Sequence, residues 1–139
     1  ALKVWMTMAH VGAQGIAQAI ESNLDCARYV AELVESSDDF EMLAPVELSI
    51  FCFRYLPPGA KGRAARSATD EAQLNKLNER ILAALQRAGS SYVSNTSING
   101  RFALRGCVLN YRTTREDMQT LLDDVRGAAD TVTNAPEPP

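Results

Sequence analysis

Residues 92–111 read YVSNTSINGRFALRGCVLNY, and Asn99-Gly100 divides this stretch into two runs rich in β-forming residues. Asn-Gly is a preferred two-residue turn of β-hairpins, because both of its residues tolerate positive φ. The turn sets the register and places Ile98 opposite Arg101. The other predicted pairs are Thr96 with Ala103, Ser94 with Arg105, and Tyr92 with Cys107. We therefore predict an antiparallel hairpin with strands at 92–98 and 101–111.

Two more strands are predicted earlier in the chain. Residues 40–44 (FEMLA) alternate between two side-chain sets and end at Pro45, which is typical of a short strand. Residues 48–55 (LSIFCFRY) form a second strand in which both side-chain sets are apolar, so both of its faces need cover. Helices on one face would leave Phe51 and Phe53 in water. We expect a partner chain or a further domain to cover these two residues.

Helical periodicity surrounds these strands. We predict a short helix at 2–10 that ends before Gly12, and a long helix at about 13–36. Asp70 with Gln73 resembles a capping box for a helix that stops before Gly89, and Thr113 with Glu116 resembles one for a last helix. The apolar stripes are Ile16, Ile20, Leu24, Ala27, Ala31 and Val34; Leu74, Leu77, Ile81, Ala84 and Leu85; and Met118, Leu121, Leu122, Val125, Ala129 and Val132.

The predicted order is α-β-β-α-β-β-α, which indicates an α+β domain with a four-stranded antiparallel sheet and packed helices. A chain of 139 residues fits one domain, which we place at 1–132, with a Pro-rich flexible tail at 133–139. The chain opens without a Met inside the apolar stretch ALKVW, and we interpret it as a piece of a longer protein.

Composition excludes several classes of protein. Fourteen Lys and Arg against seventeen Asp and Glu give a net charge of −3, whereas a nucleic-acid partner requires a basic surface. The longest apolar run, at 81–85, is far shorter than the roughly twenty residues of a membrane span. Cys26, Cys52 and Cys107 form no C-x-x-C pair and are predicted to be reduced core thiols of a cytoplasmic protein. A single histidine, His10, gives no metal-binding spacing, and we expect no metal site.

Residues 57–68 (PPGAKGRAARSA) are predicted to form a mobile surface loop in which Lys61, Arg63 and Arg66 are solvated. A phosphate-binding role is the alternative, but the glycine spacing matches no phosphate-binding fingerprint.

Arg105 is the polar residue that stands out, because it lies within an apolar strand. A guanidinium in such surroundings needs an anionic or strongly polar partner. One reading is an internal ion pair with Glu41 or Glu47 on a neighbouring strand. The other is a binding site for the carboxylate of a ligand, with Ser94 beside it across the hairpin.

Four motifs together resemble one enzyme family. They are Leu2-Lys3-x-Trp5, Gly12-x-x-Gly15-Ile16, Leu48-x-Ile-Phe-Cys-Phe-Arg54 and Phe102-Ala-Leu-Arg105. In order and spacing they resemble the group II pyridoxal-phosphate-dependent amino-acid decarboxylases, which include the aromatic-L-amino-acid and glutamate decarboxylases. The resemblance covers the chain except its tail and matches only the C-terminal small domain of these fold-type-I enzymes.

The resemblance implies a homodimeric enzyme whose N-terminal large domain binds pyridoxal phosphate. That domain would supply the Schiff-base lysine, usually in a His-Lys dipeptide, together with the histidine and aspartate that contact the cofactor ring. In this chain His10 precedes Val11, and Lys3, Lys61 and Lys76 do not lie in that context. We therefore expect a fragment that has no catalytic residue, binds no cofactor and is inactive alone.

The resemblance also implies that Arg105 holds the α-carboxylate of the amino-acid substrate. Decarboxylation needs this group oriented so that the breaking bond stands perpendicular to the cofactor π system, and a guanidinium clamp helps to set that orientation. One position departs from the family, since Ala9 stands where an arginine is often found. The alternatives are a free-standing α+β module that binds a small carboxylate or regulates another protein, and an oligomerisation domain.

Overall fold

The computed structural model describes residues 2–62 and 67–134, which form three helices and one four-stranded sheet. The α+β class and the order α-β-β-α-β-β-α are confirmed. The elements are α1 (Leu2–Ser36), β1 (Phe40–Met42), β2 (Ile50–Tyr55), α2 (Ala68–Ala88), β3 (Ser94–Ile98), β4 (Arg101–Cys107) and α3 (Arg115–Asn134).

The sheet has the strand order β1-β2-β4-β3, and each neighbouring pair is antiparallel. Asn99 and Gly100 form the β3–β4 turn with φ of 52° and 76°, as the Asn-Gly signal predicts. The predicted pairs Ile98–Arg101, Thr96–Ala103 and Ser94–Arg105 are confirmed.

The predicted pair Tyr92–Cys107 is wrong, because β3 begins only at Ser94. The carbonyl of Val93, the residue before β3, accepts a hydrogen bond from the Gln86 side chain on α2 over 3.2 Å. Cys107 pairs instead with Ile50 of β2.

The face of the sheet that carries Phe51 and Phe53 forms the core. These side chains are 2% and 0% exposed and pack in one cluster with buried residues of all three helices. The expectation that another chain must cover them is therefore wrong, since the three helices of this chain supply the cover. The opposite face of the sheet carries Cys52 and its cross-strand neighbour Arg105.

Gly106 makes the close packing of Phe51 possible. The two residues are directly paired between β2 and β4, and the Phe51 ring lies over the glycine. A Cβ at position 106 would stand 2.5 Å and 2.8 Å from ring atoms Cε2 and Cε1, closer than real Cβ contacts. Position 106 therefore requires glycine, because any side chain there would collide with the Phe51 ring.

Helix α1 consists of two helical segments joined at Gly12. Gly12 has φ 73° and ψ 167°, a non-helical conformation with positive φ that favours glycine. This confirms the predicted short first helix and long second helix. Residues 2–10, including Trp5 and His10, are all exposed, whereas the second segment buries Cys26, Ala27, Val30 and Val34.

The predicted helix caps are displaced along the chain. Helix α2 begins with a capping box of Ser67 and Asp70 rather than Asp70 and Gln73. At α3, Thr114 and Asp117 exchange the capping hydrogen bonds, one residue beyond the predicted pair Thr113 and Glu116. In both cases a Ser or Thr precedes Asp by three residues, and the shorter acid makes the bond back to the cap.

The stripes predicted for α2 and α3 face the core. Ile81, Leu85 and Val125 are completely buried, and Gly89 ends α2 in the left-handed conformation with φ 74°. Helix α3 continues to Asn134 and so includes the first two residues of the predicted tail, while residues 135–139 lie outside the described part.

Lys61 is not simply solvated. Its Nζ donates hydrogen bonds to the carbonyls of Val34, Glu35 and Ser37, and so it caps the C-terminal end of α1. The predictions for Arg63 and Arg66 concern positions outside the described residues.

Within residues 2–62 and 67–134, none of the helices combines the length and apolar character that a membrane span requires.

Candidate functional site

The candidate site lies at the centre of the sheet, on the face away from the helical core. Arg105 is on β4, directly opposite Cys52 of β2 on one side and Ser94 of β3 on the other. Directly paired residues of an antiparallel sheet point to the same face, so these three side chains are neighbours. The Asn99-Gly100 turn, six residues from Arg105 along the chain, sets this arrangement through the register of the hairpin.

The Arg105 side chain is exposed, and within the described residues no carboxylate lies within 4.0 Å of its guanidinium. The proposed internal pair with Glu41 or Glu47 is not formed. Glu41 pairs with Arg54 instead, and Glu47 is exposed at the turn before β2. The guanidinium of Arg105 is therefore available to a ligand or a protein partner that contacts this face of the sheet.

Ser94 contacts the main chain of Arg105 rather than its guanidinium. The Ser94 hydroxyl donates to the carbonyl oxygen of Arg105 over 3.2 Å. This bond uses the only hydroxyl proton of Ser94, which leaves its oxygen lone pairs free as acceptors. Ser94 therefore holds the β4 backbone in place at the position of Arg105.

Two more strand arginines, Arg54 and Arg101, lie on this face; Arg101 is 46% exposed and 3.8 Å from Glu41, whereas Arg54 is fully neutralised. Its side chain is 0% exposed; Nε donates to Glu41 over 2.9 Å, and Nη1 and Nη2 donate to the two oxygens of Glu71 over 2.7 Å and 3.3 Å. Burial alone would lower the pKa of Arg54, but the hydrogen bonds from Glu71 and Glu41 outweigh burial and raise it.

The Arg54 network ties β1 and β2 to the first turn of α2, and sequence reasoning missed it. A signal was available, because Arg54 stands between Phe53 and Tyr55 in an apolar strand as Arg105 does in its own. The partner Glu71 follows a long loop, and sequence spacing does not reveal such a contact.

The three thiols are all free, but they differ in environment. Cys26 and Cys52 are buried, as predicted, whereas Cys107 is exposed, so the prediction of a core thiol is wrong there. Burial raises the pKa of Cys52, and the nearby positive charge of Arg105 acts in the opposite direction. Cys107 lies two residues beyond Arg105 on the same face, near the end of β4, where solvent reaches it.

Cofactor and metal binding would depend on lysine side chains and on clusters of His, Cys, Asp and Glu. None of Lys3, Lys61 and Lys76 lines a described cavity, and the Lys61 amine is bonded to α1 carbonyls. The described residues also contain no group of three or more His, Cys, Asp or Glu side chains that could hold a metal.

Comparison with known proteins gives a consistent set of relatives, although no family model matches the chain. The chain is 28% identical over 132 residues to aromatic-L-amino-acid decarboxylase of Bacillus atrophaeus, covering 95% of this chain and 26% of that protein. It is 33% identical over 107 residues to tryptophan decarboxylase 1 of Oryza sativa subsp. japonica, covering 77% of this chain and 20% of that protein.

Solved structures agree with the sequence relatives. The crystal structure of Oryza sativa TDC with PLP and tryptamine superposes with a TM-score of 0.78 at 27% identity, over 96% of this chain and 27% of that one. This chain spans about a quarter of the length of these relatives. Its homologues are group II pyridoxal-phosphate-dependent aromatic-L-amino-acid decarboxylases, and the chain matches their C-terminal portion.

Proposed function

We propose that this chain is part of a pyridoxal-phosphate-dependent amino-acid decarboxylase and that Arg105 binds the α-carboxylate of the substrate. The homologues are decarboxylases of this kind, and the match covers a fragment of each. The observation that carries the site assignment is the contrast between Arg105 and the other two strand arginines on its sheet face, Arg54 and Arg101, which both lie within 4.0 Å of Glu41 and Glu71. Arg54 is buried and saturated by two glutamates, whereas Arg105 is exposed and lacks a carboxylate partner among the described residues.

The chemistry of Arg105 suits an amino-acid carboxylate. A guanidinium donates two parallel hydrogen bonds to the two carboxylate oxygens, so it sets the orientation of the group as well as its position. A clamp that bound the ground-state carboxylate too strongly would slow its loss as carbon dioxide. We therefore assign Arg105 to recognition and orientation of the substrate, and Ser94 to positioning the β4 backbone through the bond to the Arg105 carbonyl.

The proposal places the cofactor and its Schiff-base lysine on polypeptide that this chain does not include. When bound there, pyridoxal phosphate would supply the electron sink for the breaking bond. The chain alone is then expected to be inactive and to show no cofactor absorption after pyridoxal phosphate is added. A homodimeric enzyme in the cytoplasm belongs to the same proposal.

The test compares Arg105→Gln with Arg87→Gln in the complete polypeptide that carries this chain. Arg87 is exposed in the last turn of α2 and, among the described residues, bonds only to the Ala83 carbonyl, so it serves as a matched loss of one guanidinium. Two lost charge-assisted hydrogen bonds of about 1.5 kcal/mol each correspond to a fall in kcat/KM of about 100-fold for Arg105→Gln. We expect little change for Arg87→Gln.

Equal kcat/KM for the two variants would refute the role of Arg105. A stable cofactor absorption band from the 139-residue chain alone would count against the division of the active site. Calorimetric binding of free amino acids to that chain, abolished by Arg105→Gln, would favour the alternative of a free-standing carboxylate-binding module.

A further inference from the structure

Strands β2 and β4 pair over only part of their length. The pairing ends at Phe53 and Leu104, which lie directly opposite each other. Both strands continue beyond this pair within the described part of the chain, and the same register would bring Tyr55 opposite Phe102. This next pair of the ladder is not formed, so the two strands separate at this end of the sheet.

The unformed pair is one that would exchange backbone hydrogen bonds. Hydrogen-bonded and non-hydrogen-bonded pairs alternate along an antiparallel ladder. At the other end of the same register, the Val108 amide donates to the Ser49 carbonyl over 2.9 Å. Tyr55 and Phe102 lie an even number of residues from that pair, so their backbone amides point into the space between the strands and need other partners.

Two asparagines of α2 occupy the place of the unformed pair. The Tyr55 amide donates to Asn78 Oδ1 over 2.8 Å, and Asn78 Nδ2 donates back to the Tyr55 carbonyl over 3.0 Å. The Phe102 amide donates to Asn75 Oδ1 over 2.8 Å, and Asn75 Nδ2 donates to the Gly100 carbonyl over 2.9 Å. A carboxamide offers the same donor and acceptor as a peptide group, so each asparagine replaces a strand partner.

Helix α2 thereby sets the separation of β2 and β4. Glu71, Asn75 and Asn78 follow one another at steps of four and three residues, so they share one side of the helix. We call these three residues the polar stripe of α2. Glu71 reaches the same two strands, since its carboxylate lies 2.7 Å from the Arg54 guanidinium and 4.0 Å from that of Arg101. The polar stripe therefore bridges β2 and β4 at the end where they do not pair.

Asn75 is the member of the polar stripe that holds the strand of Arg105. Its two hydrogen bonds anchor β4 and the preceding turn at Phe102 and Gly100. Arg105 follows Phe102 by three residues, which is about 10 Å along a strand. The two residues between them are both completely buried. A packed segment of this kind transmits a displacement of its anchor to the residue that follows it.

We propose that Asn75 is a positioning residue for substrate binding, because it fixes the path of β4 and so the place at which the Arg105 guanidinium receives the substrate carboxylate. This inference rests on the proposed function. Loss of the Asn75 side chain frees this end of β4, whereas Asn78 still holds β2 through Tyr55. A misplacement of about 1 Å costs up to about 100-fold in rate, and β4 remains paired to β2 and β3, so we expect an effect of about tenfold.

The experiment compares Asn75→Ala with Arg80→Met in the complete polypeptide that carries this chain. Arg80 lies on the same helix and donates to the Val132 carbonyl of α3, so Arg80→Met removes a contact of α2 that does not involve the hairpin. The substrate is whichever of the common L-amino acids the parental enzyme decarboxylates fastest, and the competitive inhibitor is its amine product, which lacks the carboxylate. We expect Asn75→Ala to lower kcat/KM about tenfold and to leave the inhibition constant of the amine unchanged. Arg80→Met should change neither value.

Two further variants separate positioning from general damage to the fold. Asn75→Asp keeps an acceptor for the Phe102 amide and loses the donor to Gly100, so it should retain more of the parental kcat/KM than Asn75→Ala does. If Asn75→Ala does not fold, Asn75→Asp is compared with the parent in the same two measurements. In an enzyme that already carries Arg105→Gln, Asn75→Ala should cause no additional loss of kcat/KM, because the group that it positions is gone.

Three results would overturn the proposal while leaving the proposed function in place. They are a parental kcat/KM for folded Asn75→Ala, an equal weakening of amino-acid and amine binding, and an additional loss when Asn75→Ala is combined with Arg105→Gln. If Arg105→Gln alone does not lower kcat/KM, or if the complete polypeptide decarboxylates no amino acid, the proposed function is refuted and this inference with it.

Discussion

Gly106→Ala tests the packing on which the core of the sheet depends. The new methyl group would stand 2.5 Å and 2.8 Å from Cε2 and Cε1 of Phe51, and closer still to Cζ. The substitution adds one carbon at a residue with ordinary strand geometry, so backbone strain does not contribute. Any loss of stability therefore reports the collision with the Phe51 ring.

The size of the effect follows from how little the ring can move. Phe51 is 2% exposed, and its centroid lies 5.9 Å from that of Phe53, which is itself completely buried. Overpacking a core by one methyl group commonly costs about 1–3 kcal/mol. Because buried neighbours surround the Phe51 ring, we expect a cost at the upper end of this range, about 3 kcal/mol. The melting temperature should then fall by about 10 °C.

Gly127→Ala is the matched control, because it makes the same chemical change with the opposite expected sign. Gly127 lies on the exposed side of α3, and no atom lies within 4 Å of an added Cβ. Alanine in a helix interior is favoured over glycine by about 0.5–1 kcal/mol. Gly127→Ala should therefore stabilise the protein by about that amount.

The assay is urea unfolding at 25 °C followed by far-ultraviolet circular dichroism. The midpoint of Gly106→Ala should fall by about 1–2 M, and that of Gly127→Ala should rise slightly, with unchanged slopes. Adding Phe51→Leu should reduce the cost of Gly106→Ala by at least about 1 kcal/mol, since it removes the colliding ring atoms. An unchanged midpoint for Gly106→Ala, or no coupling to position 51, would refute the packing argument.

Three further predictions concern charges and thiols. Arg54→Met should lower the free energy of unfolding in urea by about 2–3 kcal/mol, because it leaves two glutamates that are only 29% and 23% exposed without their main partner. The control Arg28→Met breaks an exposed ion pair and should cost less than about 0.5 kcal/mol. Equal losses for the two variants would contradict the reasoning. Hydrogen bonds from the Thr114 backbone and side chain lower the pKa of Asp117 from its ordinary 3.8, so its stabilising effect is present above about pH 4 and is lost as the pH falls through the lowered pKa. Thr114→Val should move that pKa part of the way back up in a carboxyl NMR titration, and an unmoved pKa would show that the hydroxyl plays no role. An aromatic disulfide reagent should modify Cys107 before the two buried thiols, and Cys107→Ser should remove the fast phase; persistence of that phase would contradict the exposure of Cys107.

The hairpin shows how much local sequence determines. Asn99-Gly100 predicts the turn, and the turn fixes the register through β3 and β4 up to the pair of Ser94 and Arg105. The apolar stripes of the helices can also be predicted from the sequence, because a repeat of 3.6 residues is visible without knowing the surface that the helix packs against. Where a cap or strand end depends on one side chain, as at Ser67, the observed position differs from the predicted one by one to three residues.

Local sequence predicts the position of the candidate site but not the state of its arginine. The sequence placed Arg105 within an apolar strand beside Ser94, and its motifs indicated the family to which the relatives belong. It did not decide between an internal ion pair and an open guanidinium. That choice depends on Glu41, which the fold places beside Arg54 instead.

Short-range patterns thus determined the elements, their order and the hairpin register, because turn preference and side-chain periodicity act between residues that are close in the chain. Tertiary structure alone decided which face of the sheet the helices cover, why Phe51 needs Gly106, and which arginine is neutralised. Those outcomes arise from contacts between residues far apart in sequence, where packing and charge pairing depend on three-dimensional proximity that no local pattern encodes.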